Sequence, residues 1–510
     1  MFAKETYIAR RAKLKQTIGS GLLLFLGNDE SGMNYADNTY HFRQDSTFLY
    51  FFGLPYAGLS AIIDIDNNRE IIFGDELTID AIVWMGTQPT LKEKSEAAGI
   101  TEVRPFKEIE TYLKNAQQKG QPIHYLPTYR AEHQIKLFQW LGVVPGAEKP
   151  SVPFIMGVVN QRNYKSEEEI AEIEKACIVT ADMHLAAMRT VRPGIRESEV
   201  AAAVAEVAYA NNYELSFPII ATINGQTLHN HDHSNLIKSG DMLLLDAGAE
   251  TEMGYAGDMS STIPADAKFT TRQREIYDIQ VAAHEAAVAA LRPGIPFVDV
   301  YELSCKVIME GLKELGFVKG DPMEAVKAGA HAMFMPCGLG HMMGLDVHDM
   351  ENLGEVYVGY DGQPKSTEFG RKSLRLGRKL EPGFVLTIEP GVYFIPELMD
   401  LWRSQNKFTE FINYDKLFTY KDFSGIRNEE DYLITENGAR LLGKKIPVRA
   451  EECPCCINGI HPRHFCLIFY NFYPLICLFV QDQDKRTEGM RDDCSISLIK
   501  RYYFKKTLFT

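Results

Sequence analysis

The chain has 510 residues, 45% hydrophobic and 24% charged, with a formal net charge of −14. That length allows about two to four domains with ample core, and the balance of residues excludes wholesale disorder. The acidic excess supplies no basic field, which argues against nucleic-acid or anionic-membrane binding. The start, Met1-Phe2-Ala3-Lys4-Glu5-Thr6, opens no apolar h-region, so the expectation is a cytoplasmic protein without a disulfide framework.

Residues 1–155 read as a mixed α/β unit. Strand-type runs occupy 21–26, 59–65 and 70–74, the last two separated by the turn residues Asn67-Asn68. The aromatic run Phe48-Leu49-Tyr50-Phe51-Phe52-Gly53 predicts a buried strand. Residues 156–165 read as a linker, and Ser166 with Glu169 three positions later forms a capping-box signature for a helix start.

From there to residue 448 the chain echoes itself. His184-Leu185-Ala186-Ala187 followed by Arg192-Pro193-Gly194-Ile195 returns as His284-Glu285-Ala286-Ala287 and Arg292-Pro293-Gly294-Ile295. In the same order, Gly240 leads an apolar run to Asp246-Ala247-Gly248, and Gly383 leads one to Glu389-Pro390-Gly391. Two copies are too few for a solenoid, so the reading is one pseudo-symmetric domain of two α+β halves.

The carboxylates carry the chemistry. A hairpin turning near Glu252 places Asp246 directly opposite Asp258, where two like charges destabilise the pair unless a cation sits between them. A salt-bridged Asp246 with Asp258 capping a loop is the bland alternative. Glu389 is the symmetry echo of Asp246, Glu429 opens another apolar run, and His341 sits among the glycines of Cys337-Gly338-Leu339-Gly340-His341. Four carboxylates and one imidazole suit two divalent cations, Mn²⁺ first, with Co²⁺ or Zn²⁺ as alternatives. Spacing does not establish that they converge; the pseudo-symmetry favours it.

With these residues in place, the chain resembles the pitta-bread metallopeptidase family of aminopeptidase P, prolidase and methionine aminopeptidase. The likeness covers roughly residues 1–445 and includes the family's Asp, Asp, His, Glu, Glu ligand pattern. It implies Asp246 on one metal, His341 and Glu389 on the other, and Asp258 and Glu429 bridging. It also implies that His229 and His348 contact substrate, that Arg427 orients the bridging acids, and that Glu389 takes the proton of the attacking water. Phe42-Arg43-Gln44-Asp45-Ser46-Thr47-Phe48 resembles the amino-terminal domain of aminopeptidase P and prolidase, which disfavours the methionine aminopeptidase branch. The fold class that follows is α/β and α+β, with boundaries 1–155 (creatinase/aminopeptidase P N-terminal type), 156–165 (linker) and 166–448 (pitta-bread catalytic domain).

The implied activity is release of the N-terminal residue from peptides with proline second. A prolidase acting on Xaa-Pro dipeptides is the alternative, supported by Phe334-Met335-Pro336, Trp84-Met85-Gly86 and the long insert between Glu389 and Glu429. A non-catalytic peptide-binding protein and a metal-free creatinase-type hydrolase are both disfavoured by the intact ligand set. The family also implies a homo-oligomer, dimer or tetramer, with proline-containing peptides as partners and neither nucleic acid nor membrane. Two positions depart from the pattern. Cys337 stands where relatives often carry histidine, which alters substrate contacts or sensitises activity to oxidation, and Asn428 replaces an apolar residue.

Six of the nine cysteines fall between Cys453 and Cys494. Their irregular spacing disfavours a zinc site. The apolar run 465–480 is short for a membrane span and is broken by Asn471 and Pro474. Residues 449–510 therefore read as an atypical disordered tail with no catalytic role.

Overall fold

The computed structural model describes residues 1–449. The cysteine-rich stretch and the apolar run of the tail lie outside the described residues.

The front half is built on a mixed five-stranded sheet. Its strands are β1 (Leu22–Leu26), β2 (Ser60–Asp64), β3 (Arg69–Phe73), β4 (Glu102–Arg104) and β5 (Ile123–His124), in the order β4-β3-β2-β1-β5. The helices around it are α1 (Lys4–Ile18), α2 (Ser46–Phe52), α3 (Ile79–Met85), α4 (Leu91–Ala97), α5 (Glu108–Gln118), α6 (Ala131–Leu141) and α7 (Val152–Arg162). Alternation along β1 divides the core. Leu22 and Leu24 pack with Ile109, Leu113 and Trp140 of α5 and α6, whereas Leu23 and Phe25 pack with Leu14, Phe51 and Phe154 of α1, α2 and α7. Both faces are covered, which is why these strands read as continuous apolar runs.

Two stretches differ from expectation. The aromatic run is helix α2, not a strand: Asp45 accepts a hydrogen bond from the Phe48 N–H at 2.8 Å, and Gly53 closes the helix at φ 64°. Six of its seven residues are buried, so no amphipathic period marks it as helical. The stretch read as a linker belongs largely to α7, whose Phe154 stacks edge-on to Phe25 at 5.1 Å.

The second half opens with α8 (Glu167–Thr190), started by the expected reciprocal bonds between Ser166 and Glu169. Next come α9 (Glu197–Ala210), β6 (Glu214–Leu215), β7 (Ile220–Thr222), β8 (Met242–Ala247), β9 (Ala249–Glu250) and β10 (Met259–Pro264). The other half-repeat supplies α10 (Thr271–Ala290), α11 (Phe297–Glu314), β11 (Val385–Ile388), β12 (Gly391–Phe394), β13 (Ser424–Arg427), β14 (Glu430–Thr435) and β15 (Gly438–Leu441). The pseudo-symmetry extends to single hydrogen bonds. Gly194 N–H donates to the Ile237 carbonyl and Ile237 N–H to Ile195, while Gly294 N–H donates to Leu380 and Leu380 N–H to Ile295. Both glycines turn at strongly positive φ, 91° and 83°.

The expected β8–β10 register is corrected by two residues. The turn is closed by Thr251 N–H donating to Tyr255 and is centred on Met253, so Asp246 faces Ser260 and Asp258 falls just outside the ladder. The two aspartates are therefore diagonal neighbours rather than a direct pair.

Each half buries one histidine from its long helix. His184 lies 2.8 Å from Ser261 Oγ and 3.2 Å from the Ala247 carbonyl, and burial lowers both His184 and His284 to about 4. In the window between about 6.5 and 4 the unfolded chain binds protons that the native rings refuse, so stability falls as pH drops through it. Each ring should thereby lower the unfolding free energy by up to about 1.4 kcal/mol per pH unit between about pH 7 and 4.5, a contribution read by comparing the parent with a variant that lacks the ring. His284→Gln should flatten that slope; an unchanged slope would contradict the neutral-ring account. Among the described residues, no helix is long and apolar enough to cross a membrane.

Candidate metal centre and active site

Four strand ends and one loop meet between the two half-repeats. Asp246 lies near the end of β8 and Asp258 immediately precedes β10. Glu389 follows β11 and Glu429 lies between β13 and β14. The loop bearing His341 is stitched to β11: Thr387 N–H donates to the His341 carbonyl, Met343 N–H to Val385, and Glu389 N–H to Leu339. A Cβ at Gly340 would collide with the Thr387 carbonyl oxygen, so this close approach requires glycine.

All eight residues singled out from the sequence line one cavity of ≈ 640 Å³: Asp246, Asp258, His341, Glu389, Glu429, His229, His348 and Arg427. Donor atoms of Asp258, His341 and Glu429 lie within 4.8 Å of one another. His341 Nε2 stands 3.4 Å from Asp258 Oδ2 and 3.6 Å from Glu389 Oε1. Its Nδ1 is 3.1 Å from the Met342 carbonyl, which can only accept, so the proton sits on Nδ1 and the Nε2 lone pair faces the acids. Asp246 stands outside that trio, tied at 2.5 Å to Arg427 Nη2.

The electrostatics of this cluster call for positive charge. Burial, then the neighbouring Asp246, push the Asp258 carboxyl up to about 8. Burial also raises Glu389, against the pull of His341 and Arg427, and raises Glu429 far above the carboxylate range, with Asp258 and Glu389 adding to the shift. Asp246 Oδ1 and Asp258 Oδ1 are buried and have no hydrogen-bond partner among the described residues. Four acids with unspent oxygens and one imidazole lone pair fit hard or borderline divalent cations, so the donor chemistry accepts two such ions.

Sequence reasoning missed the residues that hold these donors. Ser260 Oγ donates to Glu429 Oε2 at 2.6 Å and accepts from Arg427 Nε at 2.8 Å, and Tyr393 OH accepts from Arg427 Nη1 at 2.9 Å. Glu351 Oε2 lies 2.6 Å from His348 Nδ1; that hydrogen bond, the largest cause, holds the Glu351 carboxyl down to about 2. A serine in a strand or a tyrosine in an apolar run carries no sequence signal for such a role.

The two departures find their places. The Asn428 side chain turns away from the cavity, donating to Gln280 Oε1 and accepting from Thr262 N–H at 3.2 Å. Cys337 does line the cavity, but burial and Glu389 push its thiol up to about 12.

Comparison with known proteins adds the following. The model of metallopeptidase family M24 matches residues 171–436, and that of the aminopeptidase P N-terminal domain matches residues 7–124. The Xaa-Pro aminopeptidase of Escherichia coli K12 is 31% identical, over 88% of this chain and 97% of that protein. The human Xaa-Pro dipeptidase is 28% identical, over 89% and 92%. Among solved structures, E. coli aminopeptidase P with the inhibitor Pro-Leu matches with a TM-score of 0.74 at 28% identity, covering 90% of this chain and 99% of that one.

Proposed function

Because this chain belongs to metallopeptidase family M24, in the branch of aminopeptidase P and prolidase, we propose that it is a metal-dependent Xaa-Pro aminopeptidase. It would release the N-terminal residue from peptides with proline second. The observation that carries this reading is the meeting of four carboxylates, three of them buried and Glu389 half-buried, with His341 in one cavity, where Arg427 is hydrogen-bonded to Asp246.

In this reading Asp246, Asp258, His341, Glu389 and Glu429 would hold two divalent cations, Mn²⁺ in preference to Co²⁺ or Zn²⁺. Bound there, the cations supply Lewis-acid polarisation of the scissile carbonyl and acidify water. Glu389 accepts the proton of the attacking water. Arg427 holds Asp246 and Ser260 in place, so both half-repeats keep one geometry. His348 and His229 stabilise charge developing on the carbonyl oxygen. A donated proton from the second nitrogen of His348 requires the cationic ring, and Glu351 supplies its counter-charge. Proline makes the scissile amide tertiary and removes its N–H. The apolar wall of Phe217, Pro218, Ile220 and Leu228 offers the ring a surface that needs no such donor.

The remaining features of the proposal are the domain limits 1–155, 156–165 and 166–448, a cytoplasmic location and a homo-oligomer, dimer or tetramer. Supporting the oligomer, α3 leaves Ile79, Val83, Trp84 and Met85 between 67% and 86% exposed, an apolar surface a subunit contact would cover. Sedimentation of the purified chain tests this; a monomer at micromolar concentration contradicts it.

A second reading, prolidase, is favoured by Lys372 on the cavity wall, a cation placed to attract the carboxylate of a short substrate. Hydrolysis of an Xaa-Pro dipeptide and an Xaa-Pro-Yaa tripeptide under Mn²⁺ separates the two. Efficient tripeptide cleavage is expected; cleavage of the dipeptide alone assigns prolidase. Neither activity, with no metal retained, assigns a non-catalytic binding protein.

A further inference from the structure

The Arg43-Gln44-Asp45-Ser46-Thr47 motif lies in the front half, yet its Arg43 and Ser46 side chains reach the loop that carries His348. Arg43 Nη2 donates to the Leu345 carbonyl at 2.6 Å, and its Nε pairs with Glu250 of β9 at 2.9 Å. Ser46 Oγ donates to Asp346 Oδ1 at 2.5 Å. From the end of α7, Arg162 spans both acids that flank His348, meeting Asp346 Oδ2 at 2.8 Å and Asp349 Oδ1 at 2.6 Å. Its other amino group donates to Thr47 Oγ1 at 3.0 Å, and Lys165 closes the set on Asp349 Oδ2 at 2.9 Å. The side chains of Arg162, Lys165 and Asp349 are at most 3% exposed.

The loop itself is tightly wound around these acids. Asp346 Oδ2 also accepts from Met350 N–H at 3.2 Å, and Asp349 N–H donates to the Met342 carbonyl, next to His341. Residues on both sides of His348 are therefore fixed by charge-assisted bonds to the front half, while Glu351 fixes its ring. A displacement of about 1 Å at a positioned catalytic group costs about 100-fold in rate. A fixed frame around His348 thus has kinetic consequences that the packing of the two halves alone would not require.

We propose that Ser46 and Asp346, braced by Arg43 and Arg162, are positioning residues that let the front half set the placement of His348. This rests on the reading of His348 under the proposed function. Residues 42–48 are then part of the catalytic apparatus at one remove, not only of the domain interface.

Replacing Arg162 leaves Asp349 short of a partner in a buried site and invites misfolding, so the test uses milder changes. Ser46→Ala and Asp346→Asn, each alone and each in a His348→Ala background, are assayed on an Xaa-Pro-Yaa tripeptide, with metal content measured in parallel. The expected result is a fall in kcat of about 10-fold for each single variant, KM and bound metal within about twofold of the parent. In the His348→Ala background the same changes should cost less than about twofold, because the group they position is gone. Equal losses in both backgrounds, lowered metal content or no loss at all would overturn the proposal. An unaltered kcat for His348→Ala itself would instead sink the underlying reading of the site.

Discussion

Glu389→Ala is expected to lower turnover by about 10⁴-fold and to leave the protein with at most one tightly held metal ion. On the proposed reading two functions vanish together: a donor shared with His341, and the acceptor of the water proton, the latter alone worth about 10²–10⁴-fold. The residue sits 3.6 Å from His341 Nε2 at the end of β11, anchored by its own N–H to Leu339, so truncation removes the carboxylate without freeing the strand. Metal analysis after dialysis, set beside kcat on a tripeptide, checks both parts. His341→Ala should also lose metal, but keeps the proton acceptor. Full metal content with turnover within tenfold of the parent would remove Glu389 from the centre.

The second large effect is expected at His348. His348→Ala should reduce kcat by about 10²–10³-fold, the cost of one donor to a developing oxyanion, while bound metal stays at the parental level. His348 lines the cavity, yet its ring is held by Glu351 rather than by the acid cluster, which predicts this separation of turnover from metal content. Its ring packs edge-on to His341 at 4.3 Å, so metal retention is the discriminating measurement. Loss of metal in step with kcat would recast His348 as a member of the metal shell.

The two half-repeats were readable because each echo marks a place where backbone geometry leaves little choice. Gly194 and Gly294 need positive φ, and Asp246 and Glu389 each end an apolar strand entering the same space. The partners of those acids were not readable. Ser260 reaches Glu429 across 169 residues and Tyr393 reaches Arg427 across 34, contacts without a periodic signature. The α2 helix shows the limit of pattern reading from the other side. Six of its seven residues are buried, so only the Asp45 cap before the run and the Gly53 stop at its end distinguish it from a strand.

By itself, the sequence determined that this protein has two echoing α+β halves behind a mixed α/β unit, and that four acids and a histidine are its chemically expensive residues. Like charges in apolar runs are tolerated only where something neutralises them, and that constraint is visible in one dimension. The tertiary structure alone decided the register that makes Asp246 and Asp258 diagonal neighbours and the approach of His341 to Asp258 and Glu389. It also decided the grip of Ser46 and Arg162 on the loop of His348. Each of these depends on a turn centred one residue later, or on side chains meeting across hundreds of positions, and no local preference encodes such distances.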